Sequence, residues 1–443
     1  MKKIHYLTYW LGATGYTVPL FLIVLYWVNF YAPPEHEGLP QLISSYAFFG
    51  FLSTLTAIIV GARIVDLLAD PYIAYLTDRS TNPRGRRLPF MEKAFLVAAI
   101  AVALVYLPPE AGPGILNIIW VAVFHTLVFV ALSAYVTPFL AHMSALAHTE
   151  SERINLATAQ GLGESTGIIL AAQSALIWSL LEDQGETPLM ARQISFGILA
   201  FIAALFMLVP LITLRGTDTP ITEPNIASGS FRAVLKDRSF LGFIAAYSIF
   251  FACVELIQNG GVYYVTVLLE KEESLYAFLV LLMVPSSILT APLANFAARI
   301  WGKKAVMLAT IGFLSVLLLY AGSLGRYEFS PVLQGIILFG LGGIPLGAMT
   351  VLVMAVITDL IEEARERDGQ VSEAIYVAGR NFSFKMGLTI GAAFFASFLI
   401  LGKDRGDDLG IRASCYFGAF LCLLAFLILA TAYREKRTKS NSD

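Results

Sequence analysis

Twelve stretches of about 20 mostly apolar residues recur along this chain, and that recurrence decides its solvent before any motif is read. The windows fall near 6–31, 42–77, 94–108, 114–147, 154–181, 193–214, 239–269, 274–298, 304–323, 331–358, 373–401 and 411–433. Hydrocarbon offers no partner to backbone N–H and C=O groups, so each window must satisfy its own and is predicted as an α-helix. The fold class is therefore an all-α membrane protein with twelve transmembrane helices. Composition agrees: 57% of the 443 residues are hydrophobic and 14% charged, which excludes a water-soluble globule. A net charge of -2 provides no basic surface for nucleic acid. The run from Met1 to Tyr31 is too long for a signal peptide and lacks a small-residue cleavage site, so it is read as the first span. Cys253, Cys415 and Cys422 lie in apolar stretches without metal-ligand spacing and are expected to be packing residues.

Lysine and arginine set the orientation. Alternate loops carry 21 of them on one side and 6 on the other, so both termini are predicted to face the cytoplasm of a multi-pass cell-membrane protein. The longest polar connection, residues 215–238, is rich in Pro, Thr and Ser and falls near mid-chain. It is read as a cytoplasmic linker between six-helix bundles at 1–214 and 239–433, with a cytoplasmic tail at 434–443. Internal repetition supports the division. The loop after the second window begins "AYLTDR" and continues to "GRR", while the loop after the eighth reads "ANFAARIWGKK". Arg79 and Arg299 stand 220 residues apart in these two loops.

The second window contains "ARIVDLLADP", residues 62–71, with three charges. At 100° per residue Arg63, Asp66 and Asp70 lie within an arc of about 60° and share one helix face. Each unpaired charge at the bilayer centre costs at least about 2.5–3.5 kcal/mol, so the three must be paired, hydrated or coordinating. Arg63 neutralises one aspartate; the surplus carboxylate calls for a proton, a cation or a partner elsewhere. The eleventh window, "VAGRNFSFKMGLTIG", carries Arg380 and Lys385, the latter flanked by Gly387 and Gly391. Lys385 is expected to partner the surplus aspartate; such a pair serves either a coupled transporter or a permanent structural bridge.

Other polar residues at membrane depth are Gln160 and Glu164, four apart, Glu255 and Gln258, three apart, and His125. The two pairs each share a helix face and are expected to line an aqueous, solute-binding cavity, with Asn381 beside Arg380 as a further candidate. The loop "DRSTNPRGRRLPFMEK" explains itself as a topogenic anchor. Asp78, Arg79, Arg86 and Arg87 within it, with Arg299, are also candidates for charge pairing that latches the cytoplasmic face.

These residues carry a resemblance. "RIVDLLADPYIAYLTDRSTNPRGRRLPF" (Arg63 to Phe90) resembles the helix 2 and loop signature of the glycoside-pentoside-hexuronide:cation symporters, a branch of the major facilitator superfamily. "ITDLIEEARERDGQVSEAIYVAGRNFSFKMGLTIG" (Ile357 to Gly391) is similar to that family's helix 10 to 11 segment, with its lysine at Lys385. The resemblance implies a twelve-helix fold in two pseudo-symmetric halves. It further implies Asp66 and Asp70 at the coupling-cation site, a hydroxyl from Ser133 near it, and Lys385 between cation and substrate. The departures carry as much information. An asparagine often found just before the second aspartate is Ala69 here, which leaves sodium a poorer cage and favours a proton. The sugar-gripping carboxylates of helices 1 and 4 fall at Thr17 and Val136, and the helix 5 arginine at Gln160. Loss of charge-assisted grips puts an ordinary galactoside in doubt.

The expected function is cation-coupled (H+ or Na+) symport of a small organic solute, such as a sugar, glycoside or uronide, without a cofactor and as a monomer in the lipid bilayer. A lysolipid or amphiphile carrier of the same fold is the alternative. An intramembrane enzyme with an Asp-rich site is remote, because "DLLAD" has no second acidic motif within a window; "KDRGDD" at 403–408 lies in a loop.

Overall fold

The computed structural model describes residues 3–44, 47, 48, 52–80, 82, 85–217, 237–368, 373–433 and 435. Most of the linker read at 215–238, and all of the tail read at 434–443 but residue 435, lie outside the described residues, as does the side chain of Asp78. The chain is almost entirely helical: α1 (Lys3–Tyr31), α2 (Thr54–Asp78), α3 (Leu88–Val105), α4 (Ile115–Leu146), α5 (Glu150–Ala172), α6 (Ser174–Asp183), α7 (Pro188–Thr213), α8 (Arg238–Tyr263), α9 (Ser274–Trp301), α10 (Lys303–Gly322), α11 (Pro331–Asp368), α12 (Glu373–Phe398) and α13 (Leu409–Ala432). Among the described residues, eleven spans are long and apolar enough to cross a membrane, α5 and α6 together forming one of them. α2 is not among them, because Arg63, Asp66 and Asp70 interrupt it. At 25 residues and about 1.5 Å per residue it has the length to cross as the twelfth.

The second window, expected to be helical from 42, differs from the structure. Residues 47–48 and 52–53 pair as a short antiparallel ribbon, and α2 begins only at Thr54, where the Ser53 hydroxyl accepts the Thr56 N–H at 3.0 Å. A cap residue thus overrides the apolar run before it. The third window also shifts, from 94–108 to Leu88–Val105. Pro89 fits the first helical turn, whereas Pro108 disfavours helical geometry at the residue before it. α5 starts with a capping box, Thr149 accepting from the Glu152 N–H at 3.2 Å while the Glu152 carboxylate returns to the Thr149 N–H at 3.3 Å.

The helices gather into two compact units. The first is Met1–Pro224 with Gly261–Tyr263 and Glu272–Ala277; the second is Asn225–Gly260, Tyr264–Lys271 and Phe278–Asp443. In the first, α1 is buried along most of its length and packs on α5, α7 and α4, while α2 lies on α4. In the second, α10 packs on α13 and α11 over a core that includes Phe250, Leu314, Leu352 and Cys422.

Both units use the same close approach. A Cβ built on Gly163 of α5 would stand 2.2 Å from the Trp10 carbonyl oxygen, and one on Gly167 would stand 2.6 Å from Thr17 Cβ. In the second unit a Cβ on Gly387 of α12 would meet the Ser248 carbonyl oxygen at 2.3 Å, and one on Gly391 would meet Glu255 Cβ at 2.7 Å. Lipid supplies no hydrophobic drive between helices, so such small-residue faces are where backbones can come into contact. Each glycine pair is offset by 224 residues and each contacted pair by 238, so α1 and α5 correspond to α8 and α12. This places Glu255 at the position that Thr17 holds in the first unit.

Candidate substrate and coupling site

Helical period brings the α2 charges to one face, and packing on α4 then decides their partners. The Ser133 hydroxyl of α4 donates to Asp66 Oδ1 at 2.9 Å. Arg63 Nη1 lies 3.9 Å from Asp66 Oδ2, and its guanidinium sits 4.0 Å over the Phe129 ring. Asp66 is 2% exposed, so its carboxylate is surrounded by protein groups rather than bulk water, Arg63 and Ser133 among them. Asp70, one turn on, is half-buried. Pro71 follows it inside the helix and removes the N–H that would serve the Leu67 carbonyl. His125 is buried in an aromatic nest with Trp27 at 4.4 Å and Phe129 at 5.1 Å.

A second polar cluster in the same unit grows from the α1–α5 approach. The Tyr16 hydroxyl donates to Glu164 Oε1 at 2.5 Å, and Gln160 Nε2 donates to the same oxygen at 3.0 Å and to the Tyr16 oxygen at 3.3 Å. The expected Gln160 and Glu164 pair is thus joined directly. Sequence reasoning passed over Tyr16; the available signal was the small-x-x-x-small run at Gly163 and Gly167 that draws α1 against α5. Thr17 is buried against Gly167, and Val136 on α4 is half-buried.

In the second unit Glu255 is 2% exposed and its Oε1 accepts from Asn259 Nδ2 at 3.1 Å. Gln258 borders a small, water-sized cavity of about 20 Å³ lined also by Val254, Met283, Leu314, Phe339 and Leu346. Glu255 is not among its lining residues, and the cavity is apolar apart from Gln258. Lys385 on α12 is half-buried and its carbonyl accepts from Thr389 Oγ1 at 2.7 Å. Arg380 is half-buried and donates to Asn381 Oδ1 at 2.6 Å and Met354 Sδ at 3.0 Å. Asp66 and Asp70 belong to the first unit and Lys385 to the second.

The loop charges are spread out. Arg79 is exposed with its guanidinium 4.3 Å over Tyr75 of its own helix, Arg86 is half-buried, and Arg87 is buried just before α3. Arg299 is exposed in the last turn of α9, where a cation suits the helix dipole. Sequence reasoning also missed two firm ties in the second unit: Lys303 with Asp359 at 2.5 Å, and Asp237 with Arg367 at 3.3 Å and the Tyr376 hydroxyl at 3.1 Å. These pairs are far apart in sequence, and nothing in local periodicity marks them.

Residues 51–404 match the family described as MFS/sugar transport protein. The chain belongs to that family. This agrees with the resemblance to the glycoside-pentoside-hexuronide symporters. The uncharacterized symporter YnaJ of Bacillus subtilis (strain 168) is 24% identical over 79% of this chain and 76% of its own length. The lactose permease of Leuconostoc lactis is 22% identical over 97% of this chain and 68% of its own length. The nucleoside transporter NupG, solved as a point mutant, shares the fold with a TM-score of 0.65 at 13% identity, covering 97% of this chain and 99% of that one. Within this family the chain is a multi-pass membrane protein and a secondary transporter of sugars, not an enzyme. The intramembrane-enzyme reading is set aside accordingly.

Proposed function

We propose that the protein is a cation-coupled symporter that accumulates a neutral sugar or glycoside by alternating access. The observation that carries this reading is the Asp66 environment: a buried carboxylate held by Arg63 and Ser133, with a second carboxylate, Asp70, one turn away. Two carboxylates one turn apart inside a span are the donor chemistry that takes a proton or sodium ion as co-substrate. Two carboxylates and one hydroxyl, with alanine at position 69, are few oxygens for sodium, which weights the choice toward a proton. Lys385 is the basic member of this coupling set, and Arg63, Asp78, Arg79, Arg86, Arg87, Arg299 and Arg380 serve charge balance and the cytoplasmic face. The working arrangement is a monomer with both termini cytoplasmic and bundles at 1–214 and 239–433.

For the solute, Glu164 is the strongest grip. Its Oε1 takes both Tyr16 and Gln160, which orients Oε2 as an acceptor for a sugar hydroxyl. Glu255, Gln258, Asn381, Thr17 and Val136 complete the proposed lining. A carboxylate there disfavours a uronide, whose own charge it repels, and lactose as the substrate named for one relative supplies a first probe.

The test is uptake into proteoliposomes of a panel of neutral disaccharides including lactose, glucuronides and a lysolipid, with sodium or proton gradients imposed separately. Accumulation of a neutral sugar under one gradient supports the reading. Gradient-driven accumulation of the lysolipid alone overturns it.

A further inference from the structure

Arg192 on α7 is 2% exposed and carries more acid than it can neutralise. Its Nη2 lies 3.2 Å from Glu37 Oε2 and pairs from the same nitrogen with Glu273 Oε1, while Nη1 lies 3.4 Å from Glu182 Oε1 and 3.3 Å from the Pro188 carbonyl. The Glu37 side chain is 2% exposed and that of Glu273 13%. Three ionised carboxylates around one guanidinium would leave two uncompensated charges, and two acids converging on one nitrogen cannot both ionise cheaply. The other unit shows that this excess is a choice. Arg412, 220 residues later and likewise in the first turn of its unit's last helix, is held by Asp408 at 2.7 Å and by the carbonyls of Gly322 and Leu324, both at 2.9 Å. There one acid and two carbonyls meet one arginine; around Arg192 the place is filled with carboxyl groups.

The chain connectivity of Glu273 gives the excess a use. Residues 272–277 belong to the first unit, whereas the remainder of α9, from Phe278, belongs to the second. The segment also packs: Tyr276 meets Tyr26 edge-on at 5.9 Å, and nearby Tyr263 donates to the Ala32 carbonyl at 2.8 Å. We propose that Glu37, Arg192 and Glu273 form an acid-dependent latch, in which a proton shared by the two carboxyl groups seats residues 272–277 on the first unit and its loss releases them.

Glu37 meets Arg192 from α7, Glu273 from the seated segment and Asn29 from α1, with Glu35 and His36 next to it in sequence; Glu182 and behind it Asp183 from α6, and Tyr26 and Tyr276, surround the Arg192 and Glu273 side of the cluster. Burial pushes the Glu37 carboxyl well above the usual carboxylate range, Glu273 pushes it further, and Arg192 and the Asn29 amide, at 3.1 Å, pull it back. The sign follows from linkage: the seated state holds a proton that the released, hydrated state gives up, so acid favours the seat and rising pH opens it. This proton arrives from and returns to one side of the membrane. It therefore regulates the cycle without contributing driving force, whichever ion Asp66 and Asp70 take.

The test is a spin-label distance measurement on the full chain in lipid nanodiscs, with Gln184→Cys and Glu272→Cys labelled. Both positions are exposed, whereas all three native cysteines are buried. The expected result is one short distance at pH 5.5 and a growing longer population toward pH 9. Glu37→Gln, or Glu273→Gln should the first fold poorly, keeps the short distance throughout, because the amide preserves the contact without the charge. His36→Gln leaves the titration unchanged. A wild-type distance indifferent to pH overturns the proposal, as does a folded Glu37→Gln protein that opens with the wild-type midpoint or is already open at pH 5.5; a simple ion pair would give the last of these.

Discussion

Ser133 and Asp66 show how much one hydrogen bond carries when water is excluded. A bond to a charged group contributes about 1.5 kcal/mol or more, so Ser133→Ala is expected to weaken co-ion affinity about tenfold while sparing the sugar, as read by the co-ion dependence of uptake. Glu164→Gln should do the reverse: sugar affinity falls at least about tenfold, while the co-ion dependence holds. Loss of both together would place Glu164 in coupling instead. The Arg63, Asp66 and Asp70 face was legible in sequence because period alone sets it. Tyr16 was not, since its partnership with Glu164 exists only once α1 and α5 touch. Arg192 draws no attention in the sequence for the same reason: its three acids come from positions 37, 182 and 273.

Among the helices, the glycine faces of α5 and α12 make the sharpest prediction. Gly163→Leu would drive a side chain into the Trp10 backbone, which cannot yield as a side chain tip can, and should cost about 1–3 kcal/mol. Gly161, two residues earlier, has nothing within 4 Å of its would-be Cβ, so Gly161→Ala should leave thermal unfolding in detergent unchanged. Equal melting temperatures for the two variants would contradict the packing. Helix existence was legible throughout, because a bilayer enforces length and apolarity. Boundaries were less so where polar detail outweighs hydropathy: Ser53 starts α2 twelve residues into its window, and prolines displace α3.

For the molecule as a whole, the central claim is that charge on α2 links an ion gradient to sugar movement. The family was legible from two motifs, 63–90 and 357–391, because coupling chemistry tolerates few residue types. The solute was not, since hydroxyl recognition can be rebuilt from many positions, as proposed above for Glu164. Lys385→Ala should disturb sugar and co-ion responses together, and a transport profile unchanged in both would remove it from the coupling set. The most direct measurement compares accumulation with exchange in proteoliposomes for Asp66→Asn and Asp70→Asn, using the sugar that the wild type accumulates. The account predicts that both variants lose accumulation against a gradient yet still exchange internal for external sugar. Full accumulation in both would contradict it.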